Sequence, residues 1–261
     1  MPERTSYKPG TPSWTDLMTP SRDRSQKFYG SIFGWQFEDQ TDDDGNVVYV
    51  MCSQNGKSVA GMGEMSPEMA QGMPPVWSTY ICTSDVDATT KKVKSAGGTV
   101  MVEPMQIFES GKMAAYMDPT GAAVSAWQPA QHIGAELVNE PCSLAWNELD
   151  TRDVDTAKKF YSSVFGWAGE TVTEPMPYTE WKLDGDTVGG MMSMPPEVPA
   201  QVPSYWLSYF AVADCDDTVA KATKAGATVM VPPMDIPAGR FSVLADPEGA
   251  TFAVIKLSGE M

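Results

Sequence analysis

Trp14-Thr-Asp-Leu-Met-Thr, running on to Lys27-Phe-Tyr-Gly-Ser-Ile-Phe-Gly-Trp35, comes back 132 residues later as Trp146-Asn-Glu-Leu-Asp-Thr, running on to Lys159-Phe-Tyr-Ser-Ser-Val-Phe-Gly-Trp167. Eleven of these 22 aligned positions are identical. Downstream the offset settles at 129, where Trp77 meets Trp206, Tyr80 meets Tyr209 and Asp85 meets Asp214. It ends at 128, where Asp118-Pro-Thr-Gly-Ala122 meets Asp246-Pro-Glu-Gly-Ala250. Small loop gaps between segments held in register are the mark of duplication followed by drift. A unit of about 130 residues is too long for a solenoid repeat and right for a domain. The boundaries expected are 10–129 and 142–258, with a linker over 130–141 that carries His132, the only histidine of the chain.

Each unit reads as strand, helix and three strands, twice over. Trp14 to Thr19 alternates as a strand; Ser21 or Asp23 opens a helix with Phe28, Ile32 and Phe33 on its apolar face, and Gly34 ends it. Trp35 to Phe37, Val47 to Met51 and Ser58 to Met62 read as strands, with Asp43-Asp44-Gly45-Asn46 and Asn55-Gly56 as turns. After a Pro/Met-rich connection the order repeats: a strand over Trp77 to Thr83, a helix from Asp85 to Ala96, then three strands. The fold class expected is α+β, with two tandem domains of paired βαβββ modules.

The 261 residues carry 18 Lys and Arg against 34 Asp and Glu, a net charge of −16. The acidity is uneven, with −5 in residues 1–130 and −11 in 131–261. A basic footprint for nucleic acid or an anionic membrane surface is therefore missing. The start of the chain has no apolar run of signal-peptide type, and no stretch approaches the roughly 20 apolar residues of a membrane span. A soluble, cytoplasmic protein is expected, monomeric or homodimeric, with a small molecule as its partner. Cys52, Cys82, Cys142 and Cys215 have no paired spacing and read as reduced thiols.

The module order, the Phe-Tyr…Phe-Gly-Trp helix end, the Asp85-Val-Asp87 helix start and the Asp-Pro-x-Gly turn resemble the vicinal-oxygen-chelate superfamily of glyoxalases, bleomycin-resistance proteins and dioxygenases. The likeness runs from about residue 10 to 257 and occurs twice. Within it, the chain looks like a two-domain actinobacterial glyoxalase-like group whose members carry hydroxylase names and include antigen-type proteins. The resemblance implies a U-shaped sheet in each domain and, in metal-dependent members, three ligands. By spacing, their positions fall on Trp14, Thr79 and Ser125, and on Trp146, Ser208 and Ala253. None is a usual ligand for zinc or iron. No metal and no cofactor are expected.

Strand alternation then suggests what lines each cleft. In the first domain these are Trp14, Asp16 and Met18, then Trp77, Thr79 and Ile81, then Ala123, Ser125 and Trp127. In the second they are Trp146, Glu148 and Asp150, then Trp206, Ser208 and Phe210, then Thr251, Ala253 and Ile255. Aromatic walls with a few convergent polar groups suit a small ligand, although the same tryptophans serve equally as core. Asp16 and Glu148 share a repeat position and are the candidate general bases or acids; a hydrogen-bonded strand carboxylate is the plainer alternative. The ligand-binding candidates are Trp14, Met18, Trp77, Thr79, Ser125, Trp127, Trp146, Trp206, Ser208 and Phe210. The first cleft is expected to be the open one and the second comparable or more closed. Lys112 and Arg240 match each other and can pair with an anionic ligand or serve as surface cations. His132 is either a lone acid or base or an exposed linker residue. The Pro/Met-rich connections 65–75 and 194–203 are lids or plain connectors. Three classes of function remain: a metal-independent lyase or hydroxylase acting on a small carbonyl or aromatic metabolite, a sequestration protein of the antibiotic-resistance type, and a structural or signalling role.

Overall fold

The computed structural model describes residues 3–174, 176–196 and 198–259; Pro175, Glu197 in the second Pro/Met-rich connection, and two residues at each terminus lie outside them. The first module consists of β1 (Pro12–Thr19), α1 (Arg22–Phe33), β2 (Gln36–Thr41), β3 (Val47–Gln54) and β4 (Lys57–Glu64). A short helix α2 (Pro67–Gly72), capped by Ser66, leads to β5 (Val76–Cys82), α3 (Val86–Ser95), β6 (Thr99–Ile107), β7 (Gly111–Met117) and β8 (Ala123–Pro129). The second half repeats this as β9 (Leu144–Thr151), α4 (Val154–Phe165), β10 (Ala168–Val172), β11 (Tyr178–Leu183) and β12 (Asp186–Ser193). Its last module is β13 (Tyr205–Ala211), α5 (Cys215–Lys224), β14 (Thr228–Ile236), β15 (Gly239–Ala245) and β16 (Thr251–Leu257).

The strands form two eight-stranded mixed sheets, in the orders β2-β3-β4-β1-β5-β8-β7-β6 and β10-β11-β12-β9-β13-β16-β15-β14. The α+β architecture of tandem, paired βαβββ modules is thus as expected. In each sheet the first strands of the two modules pair antiparallel at the centre. Gly34 and Gly166 end α1 and α4 in the left-handed conformation, and Asp85, Asp153 and Asp214 each cap a helix by accepting a backbone N–H three residues on.

The cores do not follow the domains. Phe28, Tyr29, Phe33, Trp35 and Trp77 of the first half pack into one cluster with Phe210, Val219, Leu244 and Phe252 of the second. Ile81, Val93 and Tyr116 share another with Phe160, Tyr161, Trp167, Trp181 and Trp206. Each core therefore joins one module of each half, with Trp77 and Trp206 reaching in from the neighbouring module, and sets α1 against α5 and α3 against α4.

Two matching relays stitch these cores. Trp206 Nε1 donates to the Tyr161 hydroxyl at 2.8 Å, which donates to Asp118 Oδ2 at 2.9 Å. Trp77 Nε1 donates to the Tyr29 hydroxyl at 2.9 Å, which donates to Asp246 Oδ2 at 2.9 Å. The other oxygen of each aspartate accepts backbone N–H groups of its own Asp-Pro-x-Gly turn. The repeated Tyr, Trp and Asp therefore lock turn to helix across the two halves. Tyr161→Phe strands a buried indole N–H and a buried carboxylate oxygen, and is expected to lower stability by about 2 kcal/mol or more in urea unfolding. A loss within experimental error would mean the relay is not formed.

Candidate functional site

The site follows from the register of the central strands. In β1 against β5, Trp14 pairs with Tyr80, Thr15 with Thr79, Asp16 with Ser78 and Leu17 with Trp77. Directly opposed residues of an antiparallel pair point to the same face. The cleft face is therefore Trp14, Asp16 and Met18 with Tyr80 and Ser78, joined from β8 by Ser125 beside Tyr80 and by Trp127. In the second half, Trp146, Glu148 and Asp150 pair with Tyr209, Leu207 and Tyr205.

Six expected cleft residues lie on the opposite face, Ile81 among them, in the core cluster with Val93 and Tyr116. Trp77 and Trp206 are the relay tryptophans. Thr79 Oγ1 donates to Asn147 Oδ1 at 3.0 Å, and the Thr15 and Ser208 hydroxyls meet at 2.9 Å, both contacts lying between the halves. Phe210 packs against Phe33, Trp35 and Trp77. Counting from the helix-opening aspartate landed one residue off on β5 and β13, and a slip of one turns every side chain to the other face. Trp14, Asp16, Met18, Ser125, Trp127, Trp146 and Glu148 do share the cleft faces. Lys112 and Arg240 are engaged within the chain, Lys112 by Asp87 and Arg240 by Asp216 and Asp235. The four cysteines are free; three are buried and Cys142 is partly so.

Each cleft holds the same constellation, and two of its members escaped notice. Tyr49 of β3 donates to Asp16 Oδ2 at 3.1 Å and accepts from Trp14 Nε1 at 3.0 Å; Tyr80 donates to the same oxygen at 3.0 Å. In the second cleft Tyr178 of β11 accepts from Trp146 Nε1 at 2.9 Å and bonds to Glu148, while Tyr209 donates to Glu148 Oε1 at 2.7 Å. Tyr49 and Tyr178 lie across Gly61 and Gly190, where a Cβ would overlap the phenol. The 129-residue offset relates Tyr49 to Tyr178 and Gly61 to Gly190, so a finer self-alignment had the signal.

The clefts differ in cover and in charge. Over the first, the linker is tied down by Ala135 N–H to Ser13 O at 2.8 Å and by Glu136, whose carboxylate accepts the Ser58 N–H and hydroxyl. Gly134 approaches Ser13 so closely that no Cβ fits. Trp14 is left 3 % exposed, clustered with Ala135 and Val138 and in edge contact with His132 at 4.4 Å. Burial pushes His132 down to about 4, against the pull of Glu136. The linker thus covers Trp14 of the cleft expected to be the open one, while Met18, Tyr49, Ser78 and Tyr80 of that cleft stay partly exposed. In the second, Leu207, Tyr209, Val243, Ala253 and Ile255 pack with Trp146, Tyr205 and Phe241 of their own sheet, and Trp146, Tyr178 and Tyr205 keep part of their surface exposed. A depression of about 310 Å³ lined by Lys91, Lys92, Ser95, Ala96 and Ser163, and one of about 440 Å³ around Lys57, Gln131, His132 and Glu136, both lie away from it.

Burial raises the Asp16 carboxyl to about 6, opposed by bonds from Tyr80, Tyr49 and Ser78. It raises Glu148 likewise, opposed by Tyr178 and Tyr209. Asp150, which replaces Met18 of the first cleft, is raised to about 7 by burial and then by the charge of Glu148, with Tyr205 opposing. An acid whose folded value exceeds its unfolded one keeps its proton to a higher pH in the folded state than in the unfolded one. Stability is therefore lost as pH rises from about 4 toward 7. Asp150→Asn is expected to be more stable than wild type at pH 8, by on the order of 2–4 kcal/mol, and equal to it near pH 4. Melting curves across that range check this, and equal destabilisation at both ends would contradict it.

The fold family also implies a metal. Trp14, Tyr80 and Ser125 in one cleft, and Trp146, Tyr209 and Ala253 in the other, offer indole, phenol, hydroxyl and methyl groups. Zinc or non-haem iron calls for imidazole, thiolate or carboxylate ligands. Among the described residues, no group of three or more His, Cys, Asp or Glu is placed to hold an ion. The residues do not fit the group. No described helix is long and apolar enough to cross a membrane.

The family model described as Glyoxalase/Bleomycin resistance protein/Dioxygenase superfamily matches residues 11–125 and again 143–254. "Putative glyoxylase CFP32" of Mycobacterium tuberculosis is 46% identical over 259 residues, covering 98% of both chains. The anthracycline biosynthesis protein DauV of Streptomyces sp. strain C5 is 36% identical over 269 residues, with 97% of this chain and 95% of that one covered. Among solved structures, the Mn(II)-bound glyoxalase from Novosphingobium aromaticivorans superposes with a TM-score of 0.62 at 14% identity, covering 97% of this chain and 86% of that one, a likeness of fold.

Proposed function

The chain belongs to the glyoxalase/bleomycin resistance protein/dioxygenase superfamily, and from that footing we propose that its second cleft binds a small carbonyl-bearing or aromatic metabolite against Trp146 and moves a proton with Glu148, without a resident metal. One observation carries this reading. Glu148 is a buried carboxylate on the cleft face, braced by two phenols and paired with no cation among the described residues. A carboxyl raised toward neutrality suits proton transfer at physiological pH.

In the step this implies, the C–H bond beside the substrate carbonyl breaks and its proton passes to Glu148. The electron pair moves onto the carbonyl oxygen as an enolate; once Glu148 carries the substrate's proton it no longer needs the Tyr178 hydrogen, which is free to turn to the enolate oxygen. Return of the proton to another atom of the enolate completes an isomerisation that needs no co-reactant. Tyr209 holds Glu148 in place.

A second reading is favoured by Asp16. It has the same bracing beneath a tryptophan that the linker covers, so the constellation can also be structural, and the second copy, with Trp146 partly exposed, would then bind a ligand without reacting. Incubating the protein in D2O with a panel of aromatic ketones and aldehydes, followed by NMR, separates the two readings. Deuterium entering beside a carbonyl supports catalysis; ligands that bind but never exchange support sequestration.

A further inference from the structure

Asp150 is the member of the second cleft that has no counterpart in the first, where Met18 holds its place. It is 5 % exposed, lies two residues along the strand from Glu148 on the cleft face, and bonds to Tyr205 through one oxygen only. Its Oδ1 is buried with no hydrogen-bond partner. None of the ion pairs among the described residues involves Glu148 or Asp150. Two neighbouring acidic groups are thus withdrawn from water with no countercharge, and ionising them there is costly unless something positive completes the pair.

The walls indicate what that is. Trp146, Tyr178, Tyr205 and Tyr209 surround the pair. Calcium takes six to eight oxygen ligands and zinc prefers imidazole or thiolate, neither of which this cleft supplies. Aromatic faces beside carboxylates attract instead a diffuse organic cation, by cation–π contact together with a charge-assisted hydrogen bond. We propose that the second cleft recognises a small amine-bearing ligand in its cationic form, with Asp150 as the countercharge and Trp146 and Tyr205 as cation–π walls. The inference rests on the reading that this cleft is the ligand site, and it adds the class of ligand.

The test is calorimetric titration of the full chain at physiological salt and neutral pH with three probes of one scaffold: benzylammonium, benzyl alcohol and benzoate. The ammonium probe is expected to bind at least about tenfold tighter than the alcohol, with benzoate weakest. Asp150→Met installs the residue that the first domain already accommodates, and is expected to remove that preference; Asp150→Asn is the second variant should the first not fold. Ammonium binding unchanged in both variants would overturn the inference, since the net charge of −16 would then be attracting the probe generally. Alcohol binding as tightly as ammonium would overturn it while leaving the cleft as the ligand site. Failure of all three probes to bind would overturn it and count against the cleft reading as well.

Discussion

Glu148→Gln is expected to abolish nearly all substrate-dependent proton exchange, by about a hundredfold or more, while ligand affinity changes little. The amide keeps the size of the side chain, and its carbonyl oxygen still accepts the Tyr209 hydroxyl that Glu148 Oε1 accepts at 2.7 Å. What disappears is the carboxyl that the phenols of Tyr178 and Tyr209 hold beside Trp146. Asp16→Asn, the same change in the first cleft, is expected to leave exchange within a few-fold of wild type. Deuterium incorporation followed by NMR measures both. Equal losses from the two variants would place the chemistry elsewhere, and binding without any exchange in wild type would favour sequestration.

Separating the two halves is expected to cost the fold itself. Residues 1–141 and 142–261, produced apart, should lack the fixed tertiary signal of near-ultraviolet circular dichroism and should bind hydrophobic dyes. In the intact chain Tyr29 packs on Phe252 with ring centres 5.5 Å apart, and Phe33 and Trp35 pack on Phe210 at 5.3 and 5.4 Å. Cutting between the halves uncovers both clusters at once, a far larger exposure than a soluble monomer carries. Phe210→Ala samples a fraction of this and should cost about 3–5 kcal/mol. Mixing the halves should restore structure. A half that melts cooperatively at the temperature of the intact chain would show that the cores are independent after all.

Much of this architecture was legible in the residues, because duplication repeats its punctuation. Gly34 and Gly166 end equivalent helices, and Asp85 and Asp214 begin equivalent ones. What escaped was information that does not live along one strand. The facing of β5 and β13 depends on register, and six residues counted from Asp85 reach Thr79, whereas pairing puts Tyr80 beside Trp14. Both central strands are apolar or aromatic on both faces, so alternation could not expose the slip. The sharing of cores between halves depends on docking, and Trp77 buried in an interface looks in sequence like Trp77 lining a groove. The cover over Trp14 depends on where the linker folds back. Tyr49 and Tyr178 sit on strands read only as structural, though their common offset of 129 was available. The carboxylates Asp16 and Glu148 were found because one repeat position holds an acid in two otherwise diverged strands.

The measurement that bears most directly on the whole account is proton exchange by protein dialysed exhaustively against a chelator, with metal content determined on the same sample. A general base in a cleft of indole and phenol groups needs no ion. The account predicts that wild type at far below one equivalent of metal per chain exchanges at its undialysed rate, and that Glu148→Gln does not exchange under either condition. Exchange that vanishes on chelation and returns with a divalent metal would contradict it.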